Sequence, residues 1–328
     1  MRRVEFWLEP LVIGGEEYTF TPHPALPATS GEVYALEGGE ATVYQLQQVG
    51  SGRLFALKVP KPTYRSARAL AVTHALASLA AIPGFAAANR RCLTGESDPA
   101  LIARWPDLEY ALLMPWLLGR SWADLLLDRL ASAAYTRSHA LTLARSLAQS
   151  LAQLETLGGA HTDLAGDNLL LSPEVADGSR VELIDLEGVY LPGLPRPPVA
   201  SQGTLGYRPP WLGHMPCRRF GWGARSEDDL WGPLGDRYAG AMLLTELLVW
   251  CEGAVRLHTP AGAEALFQMQ AAHDEHSILL KAIRLALAVW GVPIRDLFHR
   301  AWAARRLADC PPLSEWAAAL NAISDIQA

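Results

Sequence analysis

Little in this 328-residue chain suits a metal knuckle, a membrane span or a nucleic-acid clamp. Its four cysteines, Cys92, Cys217, Cys251 and Cys310, lie far apart, and none forms a C-x-x-C pair. Neither a zinc knuckle nor a redox dithiol is therefore signalled, and the cysteines read as reduced, mostly core thiols. His214 and Cys217 have metal-like spacing but no second pair. No run of 18 residues is both uncharged and uniformly apolar; the best candidate, residues 239–250, contains Glu246. Arg2 and Arg3 are followed by Glu5 and Glu9, which interrupt any apolar segment of a signal peptide. These features read as a soluble, cytoplasmic chain with no membrane partner. Lys plus Arg is 28 against 34 for Asp plus Glu, a net charge of −6, so the basic surplus of a general nucleic-acid binder is missing.

One absence is local. No Asp or Glu occurs between Glu40 and Glu96, while Arg53, Lys58, Lys61, Arg65, Arg68, Arg90 and Arg91 all fall in that interval. The interval reads as a solvated basic face, or as a docking patch for an acidic partner.

What is present is ordinary globular composition, 50% hydrophobic and 19% charged. The first 60 residues suggest short strands at 4–8, 16–20, 31–37, 41–47 and 53–59, with Val49-Gly50-Ser51-Gly52 as a hairpin turn. A helix is predicted over 65–80 and a strand over 109–116. Beyond them Leu143, Leu147, Leu151 and Leu154 form a helical stripe that Gly158-Gly159 ends. Further helices are predicted at 240–250, 262–272, 276–290, 294–308 and 313–324, and the proline-rich stretch 190–199 as a surface loop. The eleven tryptophans, Trp211, Trp222 and Trp231 among them, read as packing anchors. The pattern is α+β: a small β-rich lobe, then a larger helical one, with the joint near Met114–Gly119.

Four short motifs carry chemistry. Glu37-Gly38-Gly39-Glu40-Ala41-Thr42-Val43-Tyr44 is a glycine-bearing turn whose backbone N–H groups can approach a phosphate, or an ordinary hairpin turn. Phe55-Ala56-Leu57-Lys58 places a lysine in an apolar strand, where it either pairs with an anion or snorkels. In His161-Thr162-Asp163-Leu164-Ala165-Gly166-Asp167-Asn168, Asp163 can accept a hydroxyl proton, and Asn168, five residues on, can ligate Mg²⁺ through its carbonyl. In Leu183-Ile184-Asp185-Leu186-Glu187-Gly188, Asp185 follows a buried apolar strand and offers the carboxylate oxygen that Mg²⁺ prefers.

In order and spacing these motifs resemble the protein-kinase superfamily, specifically the eukaryotic-like Ser/Thr kinases of bacteria, over roughly residues 30–310. The resemblance implies a bilobal protein-kinase-like fold: an N-terminal extension at 1–30 packed on the N-lobe, an N-lobe at 31–115 and a C-lobe at 116–328. It implies ATP and Mg²⁺ as cofactors and a protein Ser/Thr as acceptor. Gly38 and Gly39 match the phosphate-covering loop, Val43 and Ala56 are implied as nucleotide-binding residues, and Lys58 matches the lysine that holds the α- and β-phosphates. Met114, Pro115 and Leu117 match the adenine-binding hinge, with Pro115 giving its carbonyl and Leu117 its N–H. Asp163 matches the aspartate that accepts the acceptor's proton, and Asn168 and Asp185 match the metal ligands. Gly203-Thr204-Leu205-Gly206-Tyr207-Arg208-Pro209-Pro210 resembles the substrate-positioning stretch, and Asp236 the residue that anchors the catalytic-loop backbone.

Departures bear on activity. The helix after Lys58 has no glutamate to orient that lysine, and His74 stands there as a packed histidine or a neighbour of Lys58. Thr162 replaces the arginine that clamps an activation-loop phosphate, which predicts that loop phosphorylation is not the on-switch. Ala165 replaces a lysine and Trp211 a glutamate, leaving the arginine at 305 or 306 to find another carboxylate. Asp185-Leu186-Glu187-Gly188 is also similar to small-molecule phosphotransferases, where Glu187 assists a second metal or faces solvent. Three readings follow: an active protein kinase, a nucleotide-binding pseudokinase or scaffold, and a small-molecule phosphotransferase. Asp185–Pro192 (DLEGVYLP) further resembles kinases that accompany von Willebrand A-domain proteins and a phosphatase, which implies such a protein as partner.

Overall fold

The computed structural model describes residues 6–27, 30–172, 180–198, 200–212, 229–268 and 276–324. These form an α+β chain, with an antiparallel sheet first and a mostly helical region after it. Contacts divide it into two compact units, 1–80 with 86–117, and 81–85 with 118–328.

The first unit is built on a sheet of seven strands among the described residues: β1 (Leu11–Ile13), β2 (Glu16–Phe20), β3 (Ala35–Glu37), β4 (Ala41–Gln48), β5 (Leu54–Pro60), β6 (Arg91–Cys92) and β7 (Leu112–Pro115). The order is β1-β2-β4-β5-β7-β6, with β3 also paired to β4. Residues 11–20, within the segment set apart in sequence as an extension, run in this same sheet through Tyr18 opposite Gln48. The β4–β5 turn closes as expected, Gly52 N–H reaching Gln48 O at 2.8 Å with Gly52 in the left-handed region.

Alternation decides which side chains meet. Leu46, Leu57, Val59 and Leu113 point into one apolar core with Tyr18, Leu93 and Leu108. Phe6 and Trp7 cap this core, Phe6 lying edge-on to Tyr44 at 5.4 Å and Trp7 stacked on Tyr44 at 6.0 Å. This corrects the strand expected at 4–8, whose described part, Phe6–Leu8, is a turn of 3₁₀ helix. Its consecutive rings converge on one aromatic cluster, whereas a strand would send them to opposite faces. The acid-free interval recruits carboxylates from outside itself: Lys61 pairs with Glu37, Arg65 with Asp107 and Arg91 with Asp98. The helix after Lys58 is α1 (Arg68–Leu76), and α2 (Pro99–Arg104) completes the unit.

The second unit holds α3 (Trp122–Leu127), α4 (Arg129–Ala134), α5 (Arg137–Thr156), α6 (Asp236–Val249), α7 (Gly253–His258), α8 (Ile278–Ala288), α9 (Val292–Ala303) and α10 (Leu313–Asn321). A small sheet, β10-β9-β8, joins β8 (Arg120–Ser121), β9 (Leu169–Leu171) and β10 (Val181–Leu183). The leucine stripe of α5 is fully inward. The helix stops where Gly158 takes φ +72°, with Gly158 N–H on Glu155 O and Gly159 N–H on Leu154 O, both 2.9 Å. α6 is buried along its whole length except at Arg237, which pairs with Glu155. The most apolar stretch of the sequence is therefore a core helix. Among the described residues no helix is long and apolar enough to cross a membrane. The helix expected at 262–272 is corrected to a 3₁₀ turn at Leu266–Gln268, after Pro260 and a left-handed Gly262 break the run; residues 269–275 lie outside the described residues.

Candidate functional site

In the first unit, strand register gathers the predicted nucleotide residues onto one face. Val43 lies opposite Lys58 across β4–β5, Leu36 opposite Val43, and Met114 opposite Ala56. Directly opposed residues share a face, so Leu36, Val43, Ala56, Lys58 and Met114 lie together, turned away from Leu57 and Val59 in the core. Lys58 is half-buried there. Gly38 and Gly39 form the β3–β4 turn, with Gly38 N–H on Ala41 O at 2.9 Å. A side chain at Gly39 would meet nothing within 4 Å, so the turn is open on that side. Pro115 ends β7, and Trp116 N–H is spent on Leu54 O at 3.1 Å. Alternation directs the Pro115 carbonyl away from β5. Leu117 follows, half-buried. His74 is exposed on α1, which corrects the packed-histidine expectation, since Val72, Thr73 and Leu76 take the buried positions.

In the second unit, a short ribbon gathers the acidic candidates. β9 begins one residue after Asn168, and β10 ends two before Asp185. Leu183 pairs with Leu169, and Ile184 N–H donates to Asn168 O at 3.1 Å. Asn168 and Asp185 are thereby brought to the same end of the ribbon. Asn168 Nδ2 donates to Asp163 O at 2.9 Å, which fixes the amide and ties the third candidate to that end.

The loop carrying Asp163 is clamped from below. Asp236, at the start of α6 and 4% exposed, accepts His161 N–H at 2.6 Å and Thr162 N–H at 2.8 Å. Burial pushes the Asp236 carboxyl upward, while His161 and these N–H groups favour its charge. His161 is fully buried; Nε2 donates to Ile184 O at 2.8 Å, and Nδ1 accepts Asp163 N–H at 3.4 Å. One tautomer serves both bonds. Thr162 and Asp185 both sit in the left-handed region, φ +70° and +60°, a strained backbone for non-glycine residues that is found where geometry is held for a task.

The Asp163 carboxylate faces hydroxyls. Its Oδ1 accepts Ser201 Oγ at 2.9 Å and Thr204 Oγ1 at 3.3 Å. A second buried carboxylate, Glu246 of α6, holds the chain on either side of these residues. It accepts Tyr207 OH at 2.7 Å, Trp122 Nε1 at 3.0 Å and Leu266 N–H at 2.5 Å, with Phe267 N–H also contributing. Burial raises its pKa to about 7 against these donors, and the same burial holds the Tyr207 hydroxyl protonated. Trp231 Nε1 donates to Gly188 O at 3.1 Å and so braces the turn after Asp185. Trp211 packs edge-on to Tyr238 at 5.2 Å. Arg306 pairs with Asp309, and Glu187 is half-buried in the turn Leu186–Gly188. Cys92 and Cys310 are buried free thiols and Cys251 is half-buried. Cys217, His214 and Trp222 lie outside the described residues.

No protein-family model matches this chain, and no curated protein matches it either. The geometry therefore has to carry the functional argument. Ser201, Trp231, Glu246 and Trp122 were not legible as site residues. Their partners lie 38, 43, 39 and 124 residues away, and no short motif records such a pairing.

Among the described residues no three His, Cys, Asp or Glu side chains cluster to hold a metal by themselves. An asparagine with one aspartate is a hard-oxygen pair, and Mg²⁺ commonly takes two protein ligands and fills its remaining positions with water and phosphate. Asn168 Nδ2 is engaged on Asp163 O, which leaves its carbonyl oxygen as the group to offer. The donor chemistry fits that ion.

Proposed function

We propose that this chain is a Mg·ATP-dependent phosphotransferase with a kinase-like fold, moving the γ-phosphate of ATP to Ser or Thr of a protein substrate. The observation that carries the reading is the convergence of Asp163, Asn168 and Asp185 on one ribbon end, with the Asp163 carboxylate already accepting hydroxyl donors. The motif order of the sequence supports it.

In this reading Asp163 orients the acceptor hydroxyl and takes up its proton, a role that needs a carboxylate within hydrogen-bond reach. Asp236 holds the loop so that this carboxylate stays aimed. Asn168 and Asp185 hold Mg²⁺, which supplies charge neutralisation on the phosphates. Lys58 holds phosphate, and the face with Val43, Ala56, Met114 and Leu36 receives the base. A protein partner with a von Willebrand A domain, or a cognate phosphatase, remains the partner that the DLEGVYLP motif suggests.

A second reading, nucleotide binding without transfer, draws on α1: Arg68–Leu76 has no acidic residue to orient Lys58. Thermal unfolding with and without Mg·ATP separates binding from transfer. The proposed function expects a rise in Tm with Mg·ATP that Lys58→Met and Asp185→Asn each remove. No rise in the wild-type protein contradicts both readings. A rise with no transfer to any protein acceptor favours the second.

A further inference from the structure

We propose that the Gly188 carbonyl is the joint through which Thr162 and Trp231 act as positioning residues, holding the Asp185 turn in its metal-binding arrangement with no phosphate group required. The inference rests on the phosphotransferase reading and names how that same site is kept assembled. Two side chains converge on one acceptor: Thr162 Oγ1 donates to Gly188 O at 3.0 Å, and Trp231 Nε1 donates to it at 3.1 Å. A carbonyl oxygen has two lone pairs, so both bonds form at once. Gly188 closes the 3₁₀ turn that begins directly after Asp185, so fixing its carbonyl fixes the turn that Asp185 caps.

Each donor is itself held. Ala160 and Tyr190 exchange backbone hydrogen bonds at 3.0 and 2.8 Å, and that antiparallel register sets Thr162 opposite Gly188. Thr162 N–H is bonded to the buried Asp236 carboxylate at 2.8 Å, and the residue keeps φ +70°, an outlier for a β-branched side chain. The bond to Gly188 gives that strained backbone a task. Trp231 N–H is bonded to Asp229 Oδ1 at 3.0 Å. Its ring lies edge-on to Tyr190 at 5.0 Å and against the Arg196 guanidinium at 5.7 Å, while Arg196 also pairs with Asp229. The indole N–H is thereby aimed by contacts that do not involve Gly188.

This joint differs in chemistry from a phosphate clamp. Thr162 stands where the resemblance places an arginine for a loop phosphate, and it spends its hydroxyl on Gly188 instead. Both donors are neutral groups of the folded chain, and neither a hydroxyl nor an indole titrates near neutral pH. The turn is therefore held as soon as the chain folds, and Asp185 stays at the ribbon end with Asn168 before any modification.

The test measures, on the full chain at fixed ATP, the Mg²⁺ concentration that gives half of the Tm rise, beside the Mg²⁺ dependence of transfer to casein. Trp231→Phe removes one donor and keeps a ring for Tyr190 and Arg196. Thr162→Val removes the other donor at the same shape, and Thr162→Ser keeps the hydroxyl. Trp231→Phe and Thr162→Val are each expected to raise the half-point about 5-fold, and their combination roughly 20-fold, the size of one and of two lost hydrogen bonds. Thr162→Ser stays within about twofold of the wild-type chain, KM for casein is unchanged throughout, and wild-type protein pretreated with a phosphatase transfers without a lag. Three results overturn the inference while leaving the phosphotransferase reading intact: a half-point that stays at the wild-type value in Trp231→Phe or in Thr162→Val, a Thr162→Ser half-point that rises as far as that of Thr162→Val, or a lag that preincubation with Mg·ATP removes. Neither a Tm rise nor transfer in the wild-type chain overturns the reading itself, and the inference with it.

Discussion

The two units differ in how their buried carboxylates are used. Among the described residues the sheet unit pairs Arg65 with Asp107 and Lys61 with Glu37 at partly exposed positions, and buries one carboxylate, Asp98, against Arg91 and Gly14 N–H. Among the described residues the helical unit buries two, Asp236 and Glu246, both on α6. A buried carboxylate is costly unless donors surround it, and here donors do: two backbone N–H groups on Asp236, and four N–H or O–H groups on Glu246. Each of these donors belongs to a loop or helix remote in sequence. The first unit thus positions its candidate side chains by strand alternation, with Asp98 tying Gly14 and Arg91 away from them, and the second does so by buried carboxylates that gather distant loops.

The sharpest way to break this contrast is to remove the anions. Glu246→Ala leaves four buried donors without an acceptor, and a loss of about 4 kcal/mol is expected in denaturant unfolding. Asp236→Ala orphans two buried N–H groups, for about 3 kcal/mol, and also releases the Asp163 loop, so phosphate transfer falls with it. A loss below about 1 kcal/mol for either variant would put the organising role elsewhere.

The core face of the sheet comes next. Leu57→Ala removes a fully buried side chain and should cost about 3 kcal/mol. Lys58→Met, one residue along and on the opposite face, should cost less than about 1 kcal/mol while abolishing stabilisation by Mg·ATP. Equal losses from the two would erase the distinction between faces that the register draws.

A titration sharpens the comparison further. The Glu246 pKa is raised from 4.5 to about 7 in the folded chain. A raised acid binds its proton more tightly when folded, so its contribution is fully present below pH 4.5 and is lost as pH rises through about 7. The wild-type unfolding free energy should therefore fall across that window relative to Glu246→Gln. Parallel curves for the two proteins would contradict the shift. The smallest effect belongs to the rim: Arg65→Ala, whose partner Asp107 is largely exposed, should change stability by less than about 1 kcal/mol.

The same contrast explains what was legible in the sequence. The strands at 41–47 and 53–59 and the glycine turn between them are local signals, and β4 and β5 pair across that turn. The spacing of Asp163 to Asn168, and the apolar strand before Asp185, are local as well. Phe6–Leu8 misled because its β-favouring residues serve an aromatic cluster formed with Phe20, Tyr44 and Trp105, a tertiary demand that overrides propensity. Residues 262–272 misled because a left-handed Gly262 breaks an apparently helical run. Ser201 and Trp231 gave no signal, because their roles depend on loops that meet only when Asp236, Glu246 and Asp229 draw them together.

The most direct test of the central claim is Mg²⁺-dependent transfer of labelled γ-phosphate from ATP to a protein acceptor, with Asp163→Asn run beside the wild-type chain. The account predicts label on serine or threonine that falls by about 10²–10⁴-fold in the variant, with the folded state retained. Undiminished transfer by Asp163→Asn, or no transfer by the folded wild-type protein, would contradict it.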